Sequence, residues 1–248
     1  MSIHILNCVS MSPWWPRWHL GGICLLVETN EGPVLVDTGL GLHDYALPSK
    51  LLRFYIADFG IQMNPERAAI HQLIQFGWKA EDVRHIVMTH LHFDHAGGLP
   101  DFPNAWVHVY RPEYDAMRLG RSLKERLAYN PTDFAHSPQW IFHGEPDEKW
   151  FDFDAIRLDF KPEMYLIPLT GHTPGHCGVA IRDRGGWLFH AADALPTNAQ
   201  FDLLPDWIYR MIIGPHVPRL KVFAEAHPEV RLLAGHMWLD FFEKEKTK

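Results

Sequence analysis

The stretch VRHIVMTHLHFDHAGG, Val83–Gly98, places four metal-binding side chains within six residues: His90, His92, Asp94 and His95. Its first half, VRHIVMT, is a short β-branched run with the chemistry of a buried strand, so the histidines arrive directly at a strand's C-terminal end. His90 and His92 are two residues apart, and in an extended segment both side chains point the same way and can grip one ion. Asp94 and His95 belong to the turn that follows. Ala96, Gly97 and Gly98 let the backbone turn sharply there and begin a helix close to the pocket. A single histidine is more often a core or surface residue than a ligand, but this pattern after a buried strand points to metal binding.

Working outward, His172, Asp193 and His236 raise the count of candidate ligands to seven, enough for two ions with one shared carboxylate. Imidazole and carboxylate without cysteine suit Zn²⁺, with Fe²⁺ or Mn²⁺ as alternatives, and two such ions side by side activate one water for hydrolysis. The chain has no G-x-S-x-G elbow, which disfavours a serine nucleophile.

The rest of the sequence alternates strands and helices. GGICLLVETNEGPVLV (21–36) reads as a hairpin with a polar turn at Gly32 and Pro33, and MSIHILNCVSM as an edge strand. Residues 40–64 show no steady period, whereas PERAAIHQLIQFGW predicts one helix from Pro65 to Gly77. Strands are expected at WVHVY, AIRLDF, MYLIPL, GVAIR, GWLFHAA and VRLLA, and helices near 111–128 and 206–226. Such interleaving favours a layered α/β fold, and 248 residues fit a single domain spanning 1–248. Lys plus Arg number 23 against 30 for Asp plus Glu, with no basic block, which argues against nucleic acid as a partner. No run approaches the roughly 20 apolar residues of a membrane span. The N-terminus lacks a basic start and a continuous apolar run, so a cytoplasmic location is expected. Three cysteines at unrelated spacings are expected to be free thiols.

The run His90-Leu91-His92-Phe93-Asp94-His95 resembles the signature of the metallo-β-lactamase superfamily. The resemblance extends to Val36-Asp37-Thr38-Gly39, to Gly171-His172-Thr173-Pro174-Gly175-His176, to Asp193 after GWLFHAA, and to Ala234-Gly235-His236. It implies an αββα sandwich in which His90, His92 and His172 hold a first ion and Asp94, His95 and His236 a second. Asp193 would bridge the two ions, and Asp37 would be the family's buried acid behind the ligands. His176 resembles a supporting position rather than a ligand. His190, on the strand leading to Asp193, would line the site or merely pack.

By the same resemblance a hydroxide shared by the two ions is the nucleophile, and Asp94 is the catalytic residue that carries a proton to the leaving atom. The presence of Asp193 disfavours a true β-lactamase, and with only 12 residues after His236 a glyoxalase II enzyme, which adds a helical glutathione-binding C-terminal domain, is also disfavoured. What remains is similar to N-acyl homoserine lactone lactonases and related small esterases acting on an apolar or acyl-bearing small molecule. Those lactonases carry a tyrosine three residues after the bridging aspartate. Here that position is Pro196, with Tyr209 or Tyr45 as candidate substitutes. Trp14, Trp15 and Trp18, Phe54, Tyr55 and Phe59, and Trp207 with Tyr209 are candidates for the walls of the site; the Trp-rich segment equally suits a homodimer contact or a lid hinge. Competing expectations are an organophosphate or phosphodiester hydrolase and a mononuclear iron sulfur dioxygenase.

Overall fold

The computed structural model describes residues 2–14, 17–120, 129–195, 197, 207, 210–211 and 213–245. Among them are two stacked sheets with helices on the outer faces, the αββα sandwich. The first sheet contains β1 (Ile3–Met11), β2 (Leu20–Thr29), β3 (Gly32–Val36), β4 (His85–Val87), β5 (Trp106–Tyr110) and β6 (Gln139–His143), neighbours in that order. The second runs β12 (Val230–Leu233), β11 (Gly186–His190), β10 (Cys177–Asp183), β9 (Met164–Pro168), β8 (Phe153–Leu158) and β7 (Glu148–Trp150).

Period-two alternation explains the layers. Ile23, Leu25 and Val27 of β2, with Val34, Val36 and Val87, face the second sheet and meet Phe153, Leu166, Val179 and Phe189 there. The intervening Cys24, Leu26, Leu35 and Ile86 face outward and are covered by Leu73, Leu91 and Leu99. Strands buried on both faces have to be apolar throughout, which is why the runs from β2 to β4 are nearly continuous. Each fully buried Leu or Phe contributes roughly 1.5–3 kcal/mol, and Phe189→Ala would cost about 3–5 kcal/mol through the cavity it leaves.

The last strand, β13 (His236–Trp238), pairs with Leu20–Gly22 of β2, while β3 pairs with Leu25–Thr29 on the same strand. The chain thus leaves the second sheet at β12 and ends its sheet structure in the first. Gly21, opposite Met237, is required at that junction: its Cβ would lie 2.5 Å from the Phe242 ring and 2.7 Å from Asn7 Oδ1.

The expected hairpin, the edge position of β1 and the six later strands are present. Other elements differ. The helix expected over 65–77 is instead a 3-10 turn at Pro65–Arg67, cut off by Ala68 with ψ at 136°, followed by one α turn, Ala69–Leu73, that tightens into a 3-10 turn at Ile74–Phe76; it does stop at Gly77, whose φ is +80°. Residues 40–64, expected to be irregular, contain a helix at Lys50–Phe59, started by Ser49 accepting from the Leu52 N–H and stopped by Gly60 in the left-handed region. Strands β6, β7 and β13 were not expected. Of the helices expected near 111–128 and 206–226, Arg111–Leu119 and Val217–Ala226 are seen, and 121–128 lie outside the described residues. Cys8, Cys24 and Cys177 are buried free thiols. Among the described residues no helix is long and apolar enough to cross a membrane.

Candidate metal centre

Strand ends bring the seven residues together. His90 and His92 follow β4, and His92 caps the one-turn helix Phe93–Ala96 that carries Asp94 and His95. His172 lies in the loop after β9, Asp193 in the 3-10 turn Ala192–Ala194 after β11, and His236 opens β13. Donor atoms within 4.8 Å of one another form three groups: His90, His92 and His172; Asp94, His95 and His236; and His90, His95 and Asp193.

Asp193 faces both sides of this arrangement. Its Oδ2 is 3.3 Å from His172 Nε2 and 3.9 Å from His90 Nε2, while its Oδ1 is 3.4 Å from His95 Nε2 and 3.5 Å from His236 Nε2. His92 Nδ1 and His172 Nε2 are 3.0 Å apart. Asp94 Oδ2 lies 3.6 Å from His236 Nε2 and 3.9 Å from His95 Nε2. Burial pushes the imidazoles of His90 and His92 well below the ordinary histidine range, so both stay neutral and keep a lone pair to offer. Burial would lower His95 too, but the carboxylates of Asp193, Asp37 and Asp94 raise it well above. For Asp193 the penalty of burial is outweighed by His236 and His95, which hold it well below the usual carboxylate range.

The donor set fits divalent cations. His90 Nε2, His95 Nε2 and Asp193 Oδ1 are buried and make no hydrogen bond among the described residues. An unsatisfied buried polar atom costs about 1–3 kcal/mol; three of them converging is a cluster that a cation would satisfy.

Supporting groups fix the ligands. Asp37, fully buried with φ at +58°, accepts from the Thr89 N–H at 2.8 Å, the Thr89 hydroxyl at 2.7 Å and His95 Nδ1 at 2.8 Å. With Nδ1 held as the donor to Asp37, His95 can serve as a ligand through Nε2 once that nitrogen gives up its proton. His176 Nε2 accepts from the Asp193 backbone N–H at 3.1 Å, a supporting role like the one expected of it. His190 is fully buried, its pKa pushed down to about 4 by burial, and His95 and His236 add to the shift. Gly235 is dictated by the site, since a Cβ there would lie 2.0 Å from Asp193 Oδ1.

Of the candidate tyrosines, Tyr45 points its hydroxyl at the Cys8 carbonyl, 3.4 Å away, and packs beside Leu40, Leu52 and Phe93; Tyr209 lies outside the described residues, as do Pro196 and Trp15. Tyr55 stacks on Phe93 with ring centres 4.7 Å apart and on Phe59 at 5.8 Å, while Phe54 and Trp14 are exposed. Trp18 packs edge-on against Trp238. The sequence reading missed Glu113. It is buried at the start of Arg111–Leu119, where an acid in a helix's first turn passes for a favourable interaction with the helix dipole.

The family model of the metallo-β-lactamase superfamily matches residues 19–236. The chain belongs to the metallo-β-lactamase superfamily. Within this superfamily it is 39% identical over 206 residues to a probable metallo-hydrolase of Mycobacterium tuberculosis, a match covering 82% of this chain and 65% of that protein. It is 31% identical over 188 residues to an N-acyl homoserine lactonase of Bacillus cereus, covering 72% of this chain and 66% of that protein. The chain therefore spans just under two thirds of the length of these relatives. In three dimensions it is similar to the Bacillus thuringiensis lactonase AiiA, in a mutant form with N-decanoyl-L-homoserine at its active site, with a TM-score of 0.69, 23% identity and coverage of 99% and 95%. It is also similar to a probable metal-dependent hydrolase from Staphylococcus aureus, with a TM-score of 0.72, 22% identity and coverage of 95% and 89%. The metallo-β-lactamase fold is common to all three.

Proposed function

We propose that this chain is a metal-dependent hydrolase that opens carboxylic esters, lactones above all, of small acyl-bearing molecules, working as one domain in the cytoplasm with two zinc ions. The observation that carries the reading is Asp193, whose two oxygens face two separate histidine sets at 3.3–3.5 Å. In this reading His90, His92 and His172 hold one ion, Asp94, His95 and His236 the other, and Asp193 both. Bound there, a pair of divalent cations supplies an activated water and positive charge for a carbonyl oxygen.

The side chains do the rest. Asp94 sits at the edge of the centre, 12% exposed, and takes the proton to be delivered to the leaving alkoxide. Asp37 keeps His95 in one tautomer, and His176 fixes the backbone of Asp193. The rings of Phe93, Tyr55 and Phe59, with exposed Phe54 beside them, offer an apolar surface that suits an acyl chain. The lactonase relatives of the superfamily support the same substrate class.

The test is metal content by mass spectrometry on the purified chain, paired with hydrolysis of acyl lactones, aryl esters and phosphotriesters. Two ions per chain with lactone turnover fit the proposal, and Asp193→Ala should then lose metal and turnover together. Turnover by that variant with both ions bound, or a preference for phosphotriesters, would sink the bridging role or the substrate class respectively.

A further inference from the structure

A fully buried glutamate outside the seven ligands ties together two of the ligand-bearing loops. Glu113 is fully buried on the helix Arg111–Leu119. Its Oε1 accepts from the Leu91 backbone N–H at 2.9 Å and the Tyr129 hydroxyl at 3.2 Å; its Oε2 accepts from the Thr173 hydroxyl at 2.6 Å and the Gly175 backbone N–H at 3.1 Å. An ionised carboxylate has about four acceptor sites, and all four are used here. Leu91 lies between His90 and His92, and Thr173 directly follows His172. The Tyr129 ring lies 5.8 Å from the His92 ring. Gly175 completes the joint, because a Cβ there would lie 2.0 Å from the Glu113 backbone nitrogen.

We propose that Glu113 is a positioning residue for one half of the metal centre, setting the distance between the His90–His92 loop and the His172 loop. This rests on the two-ion reading above. None of the hydrogen bonds of Glu113 reaches Asp94, His95 or His236, and that half is organised instead by Asp37, bonded directly to His95. Asp37 also reaches His90, through Thr89, whose hydroxyl is 3.1 Å from His90 Nδ1. Glu113 accepts from a backbone N–H of β4's loop with one oxygen and from one of β9's with the other. Its loss therefore acts unequally on the two positions.

The test is Glu113→Gln. The amide keeps the shape but has one acceptor oxygen, and its NH₂ must face either the Leu91 or the Gly175 backbone N–H, neither of which can turn round to accept. Zn²⁺ affinity is measured by competition with a chromophoric chelator. Anomalous diffraction from crystals of the Zn²⁺-loaded variant then locates the weakened ion, and circular dichroism checks the fold of the metal-free protein. Changes in groups that orient metal ligands cost about 10–100-fold in affinity. One ion should weaken by that factor, the one between His90, His92 and His172, while the other stays within about threefold of wild type. Equal weakening of both ions, selective loss of the other ion, or two unchanged affinities would overturn the role of Glu113. Fewer than two ions in the wild-type chain would instead overturn the two-ion reading. If the glutamine variant does not fold, Thr173→Val removes only the 2.6 Å hydroxyl bond and should weaken the same position, less strongly; no weakening there refutes the proposal equally.

Discussion

Gly235→Ala tests the geometry of the metal centre without touching a ligand. The added Cβ would sit 2.0 Å from Asp193 Oδ1, 3.0 Å from the Ala192 carbonyl carbon and 3.1 Å from the Asp193 nitrogen. Contacts shorter than 3.0 Å are not tolerated, so the oxygen has to retreat by about 1 Å. The backbone has little room to give instead. The Gly235 N–H donates to the Ala192 carbonyl at 2.9 Å, and the Gly235 carbonyl accepts from the Ile23 N–H at 2.9 Å. Displacement therefore falls on the carboxylate oxygen that faces His95 and His236. Misplacing a reacting group by 1 Å costs on the order of 100-fold, and overpacking a buried site adds about 1–3 kcal/mol of lost stability. The assay is kcat/KM on the best lactone from the substrate panel, together with zinc content and thermal unfolding. Gly185→Ala is the control, since nothing lies within 4 Å of a Cβ built there. An alanine variant with two bound ions and kcat/KM within threefold of wild type would refute the claim that Gly235 is there to make room for Asp193.

Two further predictions concern pH and lie away from the metal ligands. Asp44 is buried, and burial, with a contribution from Asp101, pushes its pKa from 3.8 up to about 7 against the opposing Gly41 N–H. Between those values the unfolded chain gives up a proton that the folded chain keeps, so Asp44 costs stability as pH rises from about 4 to 7, up to roughly 4 kcal/mol. Asp44→Asn, which can still accept from Gly41, should raise the melting temperature at pH 8 and leave it nearly unchanged at pH 4; equal shifts at both would contradict the assignment. His108 bonds to His85 on one side and His143 on the other, each at 3.0 Å, and burial first, then those two rings, push its pKa down to about 3. Below about pH 6.5 the unfolded chain binds a proton there that the folded chain refuses, so stability falls on acidification. Imidazole nitrogen shifts in NMR should report a neutral His108 at pH 5, and a protonated ring at that pH would count against the three-histidine chain.

The sequence made the His90–His95 run legible because its ligands are local, two residues or fewer apart on one strand end and its turn. His172, Asp193 and His236 were placed only through resemblance, since nothing in the spacing of residues 77 to 146 positions further along says that a sheet crossing will bring them back. The helix Lys50–Phe59 had its signals in Ser49, Gly60 and the spacing of Leu52, Tyr55, Ile56 and Phe59. It was obscured because only Leu52 is deeply buried, Tyr55 and Ile56 being half-buried and Phe59 exposed. The break at Ala68 has no compositional signal, because alanine favours a continuous helix. Glu113 was missed for a different reason: its partners are two backbone amides and two hydroxyls, groups that every sequence offers, and only the tertiary structure selects them.

The architecture explains why both sheets have to contribute. β3 and β13 share one side of β2, end to end, so the chain that has just left β12 enters the first sheet with His236 as its first residue there. The bond from the Gly235 N–H to the Ala192 carbonyl fastens that entry to the turn carrying Asp193. His90, His92, Asp94 and His95 come from the end of β4 in the first sheet, while His172 and Asp193 follow β9 and β11 in the second. Asp193 and His172 thus meet histidines of the opposite layer across the seam of the sandwich, 3.0–3.9 Å from their partners. The strand exchange at β13 therefore adds His236 to a centre that both sheets already line, and the glycines at 21 and 235 are where the absence of a Cβ makes that exchange sterically possible.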